Sequence, residues 1–336
     1  PSPRRSDAVR SAPMAQRSTP ARFPSTPARP PIARVTPLDR FRLYEACVQS
    51  PGYDARMLAA IHGGSGRLAP RILGEDFCGS AALSRAWVDL HPKNSAIAVD
   101  RDRETIEAAI ALSGEPFDRS GPGLSSNAEE PLAGGSVDDA GGPRSAMTFV
   151  LADVLRAPRS PRPDVLCALN YSIGEWHTRA DLSRYLRVAR KRVAPCGVFI
   201  ADLYAGTESM LTGDTHRLID LPPWGRVRYT WEQRHADPLT GLVENAIHFH
   251  LGASKARAQA RRHAPSLELR DAFVYRWRLW GIPELREAML EAGFRSTQVY
   301  PRHAEAVDDR GRFHAVPLAD PDELPESFSC YVVGRV

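Results

Sequence analysis

Acidic and amide side chains stand at the ends of three short apolar runs. Asp100 closes Ser95–Asp100, Asp153 closes Ala146–Asp153, and Asn170 closes Asp164–Asn170. A fourth run, Arg71–Asp76, leads into Phe77-Cys78-Gly79-Ser80-Ala81-Ala82. Gly79 and the small residues after it let a ligand approach the backbone, and a helix starting there offers free N–H groups. Asp100, twenty-one residues beyond Gly79, is placed to accept both hydroxyls of a ribose. A dinucleotide-binding turn wants three glycines and no negative charge beside the pyrophosphate. This one has a single glycine and two carboxylates, Glu75 and Asp76. Such a turn repels a pyrophosphate and favours a ligand carrying a sulfonium and an ammonium.

For these side chains to meet, the runs must be strands of one sheet with their ends on one side. The order of segments predicts that arrangement. Strands at Arg71–Asp76, Ser95–Asp100, Ala146–Asp153, Asp164–Asn170 and Gly197–Tyr204 alternate with helices at Ser80–Leu90, Asp102–Ser113 and Thr178–Ala194. Leu182, Tyr185, Leu186, Ala189 and Val193 mark the buried face of the last helix. Alternation at this spacing gives a parallel sheet covered by helices on both faces. A helix at Ile282–Ala292 and strands at Ser296–Pro301 and Phe328–Val336 complete seven strands, with an antiparallel C-terminal edge. Between these parts, Arg226–His235, Val243–Leu251 and Glu268–Trp280 alternate with period two and predict a small antiparallel β insertion of three strands. Because this segment, residues 224–280, follows the fifth strand directly, it is expected to roof the strand ends as a substrate lid. Helical spacing of Leu38, Phe41, Leu43, Tyr44, Cys47 and Val48 puts a helix ahead of the first strand.

From Glu75-Asp76-Phe77-Cys78-Gly79-Ser80-Ala81 onward, the chain resembles the class I S-adenosylmethionine-dependent methyltransferases over residues 38–336. It is most similar to a bacterial branch with an Glu-Asp-Phe-Cys-Gly type of first motif. Leu43-Tyr44-Glu45, Val48-Gln49, Trp231-Glu232-Gln233 and Trp277-Arg278-Leu279-Trp280 carry the same likeness. The resemblance implies a Rossmann-like fold and S-adenosylmethionine as cofactor. It sets Glu75 at the acidic position of the motif and Phe77, Gly79 and Ala81 at its three glycine positions, with Cys78 between them. It implies that Asp100 binds the ribose, that Asp153 and Val154 hold the adenine, and that Asn170 and Ser172 face the methyl group. Tyr44 and Gln49 would close over the methionine portion. Positioning candidates for transfer are Asn170, Trp176, His177 and Tyr204, and the acceptor would touch Trp176, Tyr204, Trp231 and Trp277.

Composition bounds the rest. The net charge of +4 divides unevenly: residues 1–34 hold seven arginines against Asp7, a net +6, leaving −2 for the remainder. The Pro-, Ser- and Arg-rich residues 1–36 are expected to be a disordered tail, with organelle import an alternative to a cytoplasmic location. Residues 114–145, rich in Gly, Ser and Asp, are expected to be a flexible inserted loop. The slightly acidic body argues against a broad nucleic-acid face, and no run is long and apolar enough for a membrane span. Cys47, Cys78, Cys167, Cys196 and Cys330 form no CxxC pair. His248 and His250 lack a third partner in sequence, so no metal is expected. The expected function is methyl transfer to nitrogen or oxygen of a small molecule. Two other readings stand beside it: a catalytically inactive methyltransferase-like binding module, and an RNA or protein methyltransferase.

Overall fold

The computed structural model describes residues 37–63, 69–114, 131–132, 146–221, 224–252, 267–302 and 313–336. The expected 1–36 tail and most of the expected 114–145 loop lie outside the described residues. Two helices come first, α1 (Pro37–Val48) and α2 (Pro51–Gly63). Then follow β1 (Ile72–Asp76), α3 (Ala82–Asp89), β2 (Ser95–Asp100) and α4 (Arg103–Ser113). After the two-residue β3 (Pro131–Leu132) come β4 (Met147–Leu151), β5 (Val165–Ala168), α5 (Arg179–Arg192) and β6 (Val198–Ala205). The main sheet runs β11-β12-β6-β5-β1-β2-β4-β3, where β11 is Ser296–Pro301 and β12 is Phe328–Arg335. Its parallel pairs are β4–β2, β2–β1, β1–β5 and β5–β6, and β12 runs antiparallel to both β6 and β11. The seven full strands and their antiparallel C-terminal edge are those the sequence predicts.

Strand composition follows from position. β5 and β1 sit centrally with helices on both faces, so Val165-Leu166-Cys167-Ala168 is buried throughout instead of alternating. On one face α2, α3 and α4 bury Leu58, Ile61, Trp87, Ile106 and Ile110 against the sheet. On the other, α5 and α6 (Ile282–Glu291) bury Leu182, Leu186, Leu285 and Met289.

The second sheet has four strands, β10-β9-β8-β7, where the sequence predicts three. The additional strand is β7 (Gly213–Leu221), paired with β8 (Gly225–Asp237) from Gly213↔Gln233 to Leu221↔Gly225. It lies at an edge with most residues exposed, so no apolar face writes a period-two pattern into its sequence. β9 (Leu242–Leu251) and β10 (Leu267–Arg278) complete the sheet. α1 covers this sheet, packing Leu43 and Cys47 on Val227, Ile247, Phe249 and Leu251.

Candidate active site

The turn after β1 alternates its backbone hand. Phe77, Gly79 and Ala81 have φ of 57°, 55° and 57°, the left-handed region that glycine enters without strain. All three positions that the resemblance aligns with glycines thus adopt a glycine conformation, two of them with side chains. The Cys78 N–H donates to the Val99 carbonyl at 2.9 Å and the Ala81 N–H to the Cys78 carbonyl at 2.8 Å, which ties the turn to β2 and delays α3 to Ala82. The Phe77 ring is held edge-on by Trp176 and Tyr185.

The two carboxylates of this turn do not face a ligand, and here the electrostatic expectation is corrected. β1 is covered on both faces, so consecutive side chains enter opposite helical layers. Glu75 accepts from the Ser84 N–H (3.0 Å) and Oγ (2.5 Å) at the start of α3, and burial pushes its carboxyl up to about 7. Asp76 goes the other way, to Arg192 Nη1 at 2.8 Å and the Tyr185 hydroxyl at 2.9 Å. The Asp76–Arg192 pair is fully buried. Cys78 is buried too, and desolvation holds its thiol well above the ordinary value, leaving it protonated rather than nucleophilic.

A cleft of about 220 Å3 opens between this turn, α1, the exits of β2 and β5, and β10. Of the residues expected to bind cofactor, Tyr44, Gln49, Phe77, Cys78, Gly79, Asp100, Asn170 and Ser172 line it, together with Trp277 from the expected acceptor set. Asp100 accepts from the Gly79 N–H at 3.1 Å and the Asp102 N–H at 3.0 Å. Burial raises its carboxyl above the usual range, while those two N–H groups pull it down. The Gln49 Oε1 and Ser80 Oγ are buried without a hydrogen-bond partner. At Gly79 an added Cβ would meet nothing within 4 Å, so the glycine leaves its side of the cleft open.

Asn170 and Tyr171, at the β5 exit, both take positive φ (57° and 62°). Their consecutive N–H groups converge on the Asp202 carboxylate of β6, at 3.1 and 2.7 Å, an anion-holding backbone concavity filled by the protein's own side chain. Asp202 pairs with buried Arg302, whose other nitrogen reaches Asp54 of α2 at 3.1 Å. Burial pushes the Asp202 carboxyl up to about 6 even against Arg302.

The far wall is aromatic. Phe273, Tyr275 and Trp277 alternate along β10, with Tyr275 and Trp277 stacked at 4.3 Å, and Tyr44 meets Phe273 at 4.8 Å. The Trp277 indole N–H donates to Glu175 at 3.1 Å. Ser172–Glu175 forms a 3-10 turn after β5 that packs tightly on β10, since a Cβ at Gly174 would lie 2.7 Å from the Trp277 Cβ. Outside, a recess of about 630 Å3 shares Arg101 and Glu175 with the cleft and adds His177, Val274 and Arg276.

Other expected site residues lie elsewhere. Glu75 and Ala81 are buried beneath the turn. Asp153 caps the 3-10 turn Val154–Arg156, accepting from the Leu155 N–H, and Val154 is buried. The Trp176 ring stacks on Tyr185 at 5.1 Å in the α5 layer, and His177 bonds the Arg276 carbonyl in the outer recess. Tyr204 bonds Gln233 and Asn245 and contacts Trp231 behind Trp277. Sequence reasoning missed Phe41, Arg101, Thr105 and Glu175 in the lining. Phe273 and Tyr275, in the period-two run Glu268–Trp280, join Trp277 in the wall.

Glu232, His248 and Asp271 offer ligand atoms within 4.8 Å of one another. They satisfy each other instead. The Asp271 N–H donates to His248 Nδ1 and His248 Nε2 donates to Glu232, both at 2.9 Å, while Arg234 bridges Glu232 and Asp271. With Nδ1 accepting and Nε2 donating, the ring has no lone pair left for a metal.

No family model and no curated protein matches the chain. Solved structures do. An S-adenosylmethionine-dependent methyltransferase from Clostridium acetobutylicum aligns over 88% of this chain and 96% of its own, with a TM-score of 0.53 and 14% identity. An amino pentose methyltransferase from Micromonospora echinaspora, solved with S-adenosylmethionine bound, aligns over 88% and 95%, with a TM-score of 0.57 and 12% identity. A sugar N-methyltransferase from a Streptoalloteichus species aligns over 94% and 98%, with a TM-score of 0.52 and 14% identity.

Proposed function

For a chain with the class I S-adenosylmethionine-dependent methyltransferase fold, we propose that the cleft binds S-adenosylmethionine and transfers its methyl group to nitrogen or oxygen of a small molecule. The observation that carries this reading is Asp100. Its carboxylate lines the cleft at the β2 exit, oriented by two backbone N–H groups and ready to accept ribose hydroxyls. The cofactor's other groups find matching partners. The unpartnered Gln49 Oε1 suits its ammonium and the Ser80 Oγ its carboxylate. Because the Ala152 N–H donates to the Asp100 carbonyl at 3.0 Å, the β4 exit lies beside Asp100, and adenine is assigned there with Asp153 and Val154. Asn170 and Ser172 then border the methyl group, and Tyr44 covers the methionine portion from α1.

When bound, the cofactor supplies an activated methyl on sulfonium. The protein's part is to bind, orient and exclude water. Aromatic side chains of β10 and α1 provide the dry wall, and the outer recess admits the acceptor. Trp231 and Tyr204 support Trp277 from behind, and the 224–280 insertion acts as the substrate lid. The amino pentose and sugar N-methyltransferases with this fold support a small-molecule acceptor.

Calorimetric titration with S-adenosylmethionine and S-adenosylhomocysteine tests the reading. Both are expected to bind, and Asp100→Ala is expected to weaken them by ~1.5–3 kcal/mol, the worth of charge-assisted hydrogen bonds. Unchanged affinity in a folded variant removes the ribose assignment. One observation favours the non-catalytic module: Phe77 stands in the cleft lining where the related motif has glycine. Binding of S-adenosylhomocysteine with no turnover of any amine, phenol or acid would select that module.

A further inference from the structure

Among the described residues, two carboxylates line the cleft, Asp100 and Glu175. The first is committed to the ribose; the second has no part in the reading above. Glu175 ends the 3-10 turn after β5 and lines both the cleft and the outer recess, so it stands at the passage between them. Its Oε1 accepts from the Trp277 indole, and its Oε2 lies 3.3 Å from Arg101 Nη2. The Arg101 side chain is 73% exposed, so water screens its pull on the carboxylate. The Trp277 N–H, on a ring that is itself buried, fixes the carboxylate's orientation. The carboxylate meets the edge of Trp277, whose face is stacked on Tyr275, and Arg276, the other arginine of the recess, is paired with Glu244 at 3.0 Å. A carboxylate held at an apolar aromatic wall attracts a cation and repels a phenolate or a carboxylate.

We propose that the methyl acceptor is an amine, and that Glu175 is the catalytic residue that holds its ammonium and takes its proton. The inference rests on the methyltransferase reading. An ammonium has no lone pair, so a proton must leave nitrogen before attack; it becomes the O–H of Glu175. The freed nitrogen pair then forms the N–C bond to the methyl carbon of S-adenosylmethionine. As it forms, the C–S bond breaks, its electron pair stays on sulfur as a neutral thioether, and the positive charge moves to nitrogen. Atoms and charge balance without another reactant.

The test compares benzylammonium chloride with benzyl alcohol, which share a ring and differ in charge, titrated into protein saturated with S-adenosylhomocysteine. Wild type is expected to bind the ammonium at least about tenfold more tightly, the scale of one charge-assisted contact. Glu175→Gln keeps an oxygen for the Trp277 N–H, and is expected to lose that preference while its melting temperature and S-adenosylhomocysteine affinity stay unchanged. With benzylamine as acceptor, turnover is expected to fall about a hundredfold in Glu175→Gln at neutral pH. The deficit should shrink as pH rises towards the amine's own pKa, with partial rescue in Glu175→Asp. Equal binding of the two probes by wild type, no binding of either, or a preference that survives in Glu175→Gln overturns the proposal. Unchanged benzylamine turnover in that variant also overturns it. Failure of wild type to bind S-adenosylhomocysteine is a different result, and removes the methyltransferase reading beneath.

Discussion

Glu75 shows how burial converts an acidic residue into a structural one. Its carboxyl sits on the Ser84 N–H and Oγ with almost no access to water, and desolvation lifts it from the ordinary 4.5 to about 7. The folded protein therefore holds a proton there that the unfolded chain releases earlier. A folded value above the unfolded one contributes stability that is full below 4.5 and is lost as pH rises through about 7. Glu75→Gln removes the ionisation and keeps an acceptor for Ser84. Urea unfolding across that range is expected to show wild type losing stability relative to Glu75→Gln as pH rises; parallel curves would mean that Glu75 is charged throughout. Asp100 is only partly buried, is held by two backbone donors, and remains at the cleft surface. The difference between a packing carboxylate and a binding one lies in which side of β1 or β2 the side chain leaves, and residue type does not record it.

At the level of elements, the contact of the β5 exit with β10 sets the width of the cleft. Gly174 has no room for a side chain against Trp277, so Gly174→Ala must move the strand or the turn. We expect a loss of about 1–3 kcal/mol from overpacking, with displacement of Glu175 and Trp277. Tryptophan fluorescence and thermal melts would register both; an unchanged melting temperature would show that β10 yields freely. The sequence made much of this arrangement legible. β2 and β11 have the predicted bounds, Asp102 and Thr178 cap α4 and α5 where polar residues precede apolar periodicity, and Asn170 stands at the β5 exit. β7 was illegible because its residues are exposed along an edge. The partner of α1 was illegible because helical spacing marks a buried face without naming what buries it; that partner is the second sheet. Trp176 misled for a related reason. A large aromatic beside a strand exit can face the cleft or the neighbouring helix, and this one stacks on Tyr185.

Across the whole molecule, cohesion comes from two apolar layers on either side of one sheet and a third cluster between α1 and the second sheet. Buried ion pairs link distant parts of the chain: Asp76 with Arg192, and Arg302 with both Asp202 and Asp54. No helix among the described residues is long and apolar enough to cross a membrane. Residues 1–34 carry a net +6 and little apolar surface. Deleting them is expected to leave the melting temperature and the S-adenosylhomocysteine affinity intact, because such a segment has little to bury. A lower melting temperature in the truncated protein would show that the segment packs on the body.

The alternating left-handed residues of the first turn bear on how such turns change through descent. Phe77 and Ala81 carry side chains in a conformation that costs a non-glycine residue roughly 1–2 kcal/mol, so the hydrogen bonds of Cys78 and Ala81 enforce the shape whatever the letter. Glycine can then enter or leave either position one substitution at a time without altering the path of the chain. Each loss of glycine costs roughly those 1–2 kcal/mol, and the turn's dihedral angles persist where its letters change.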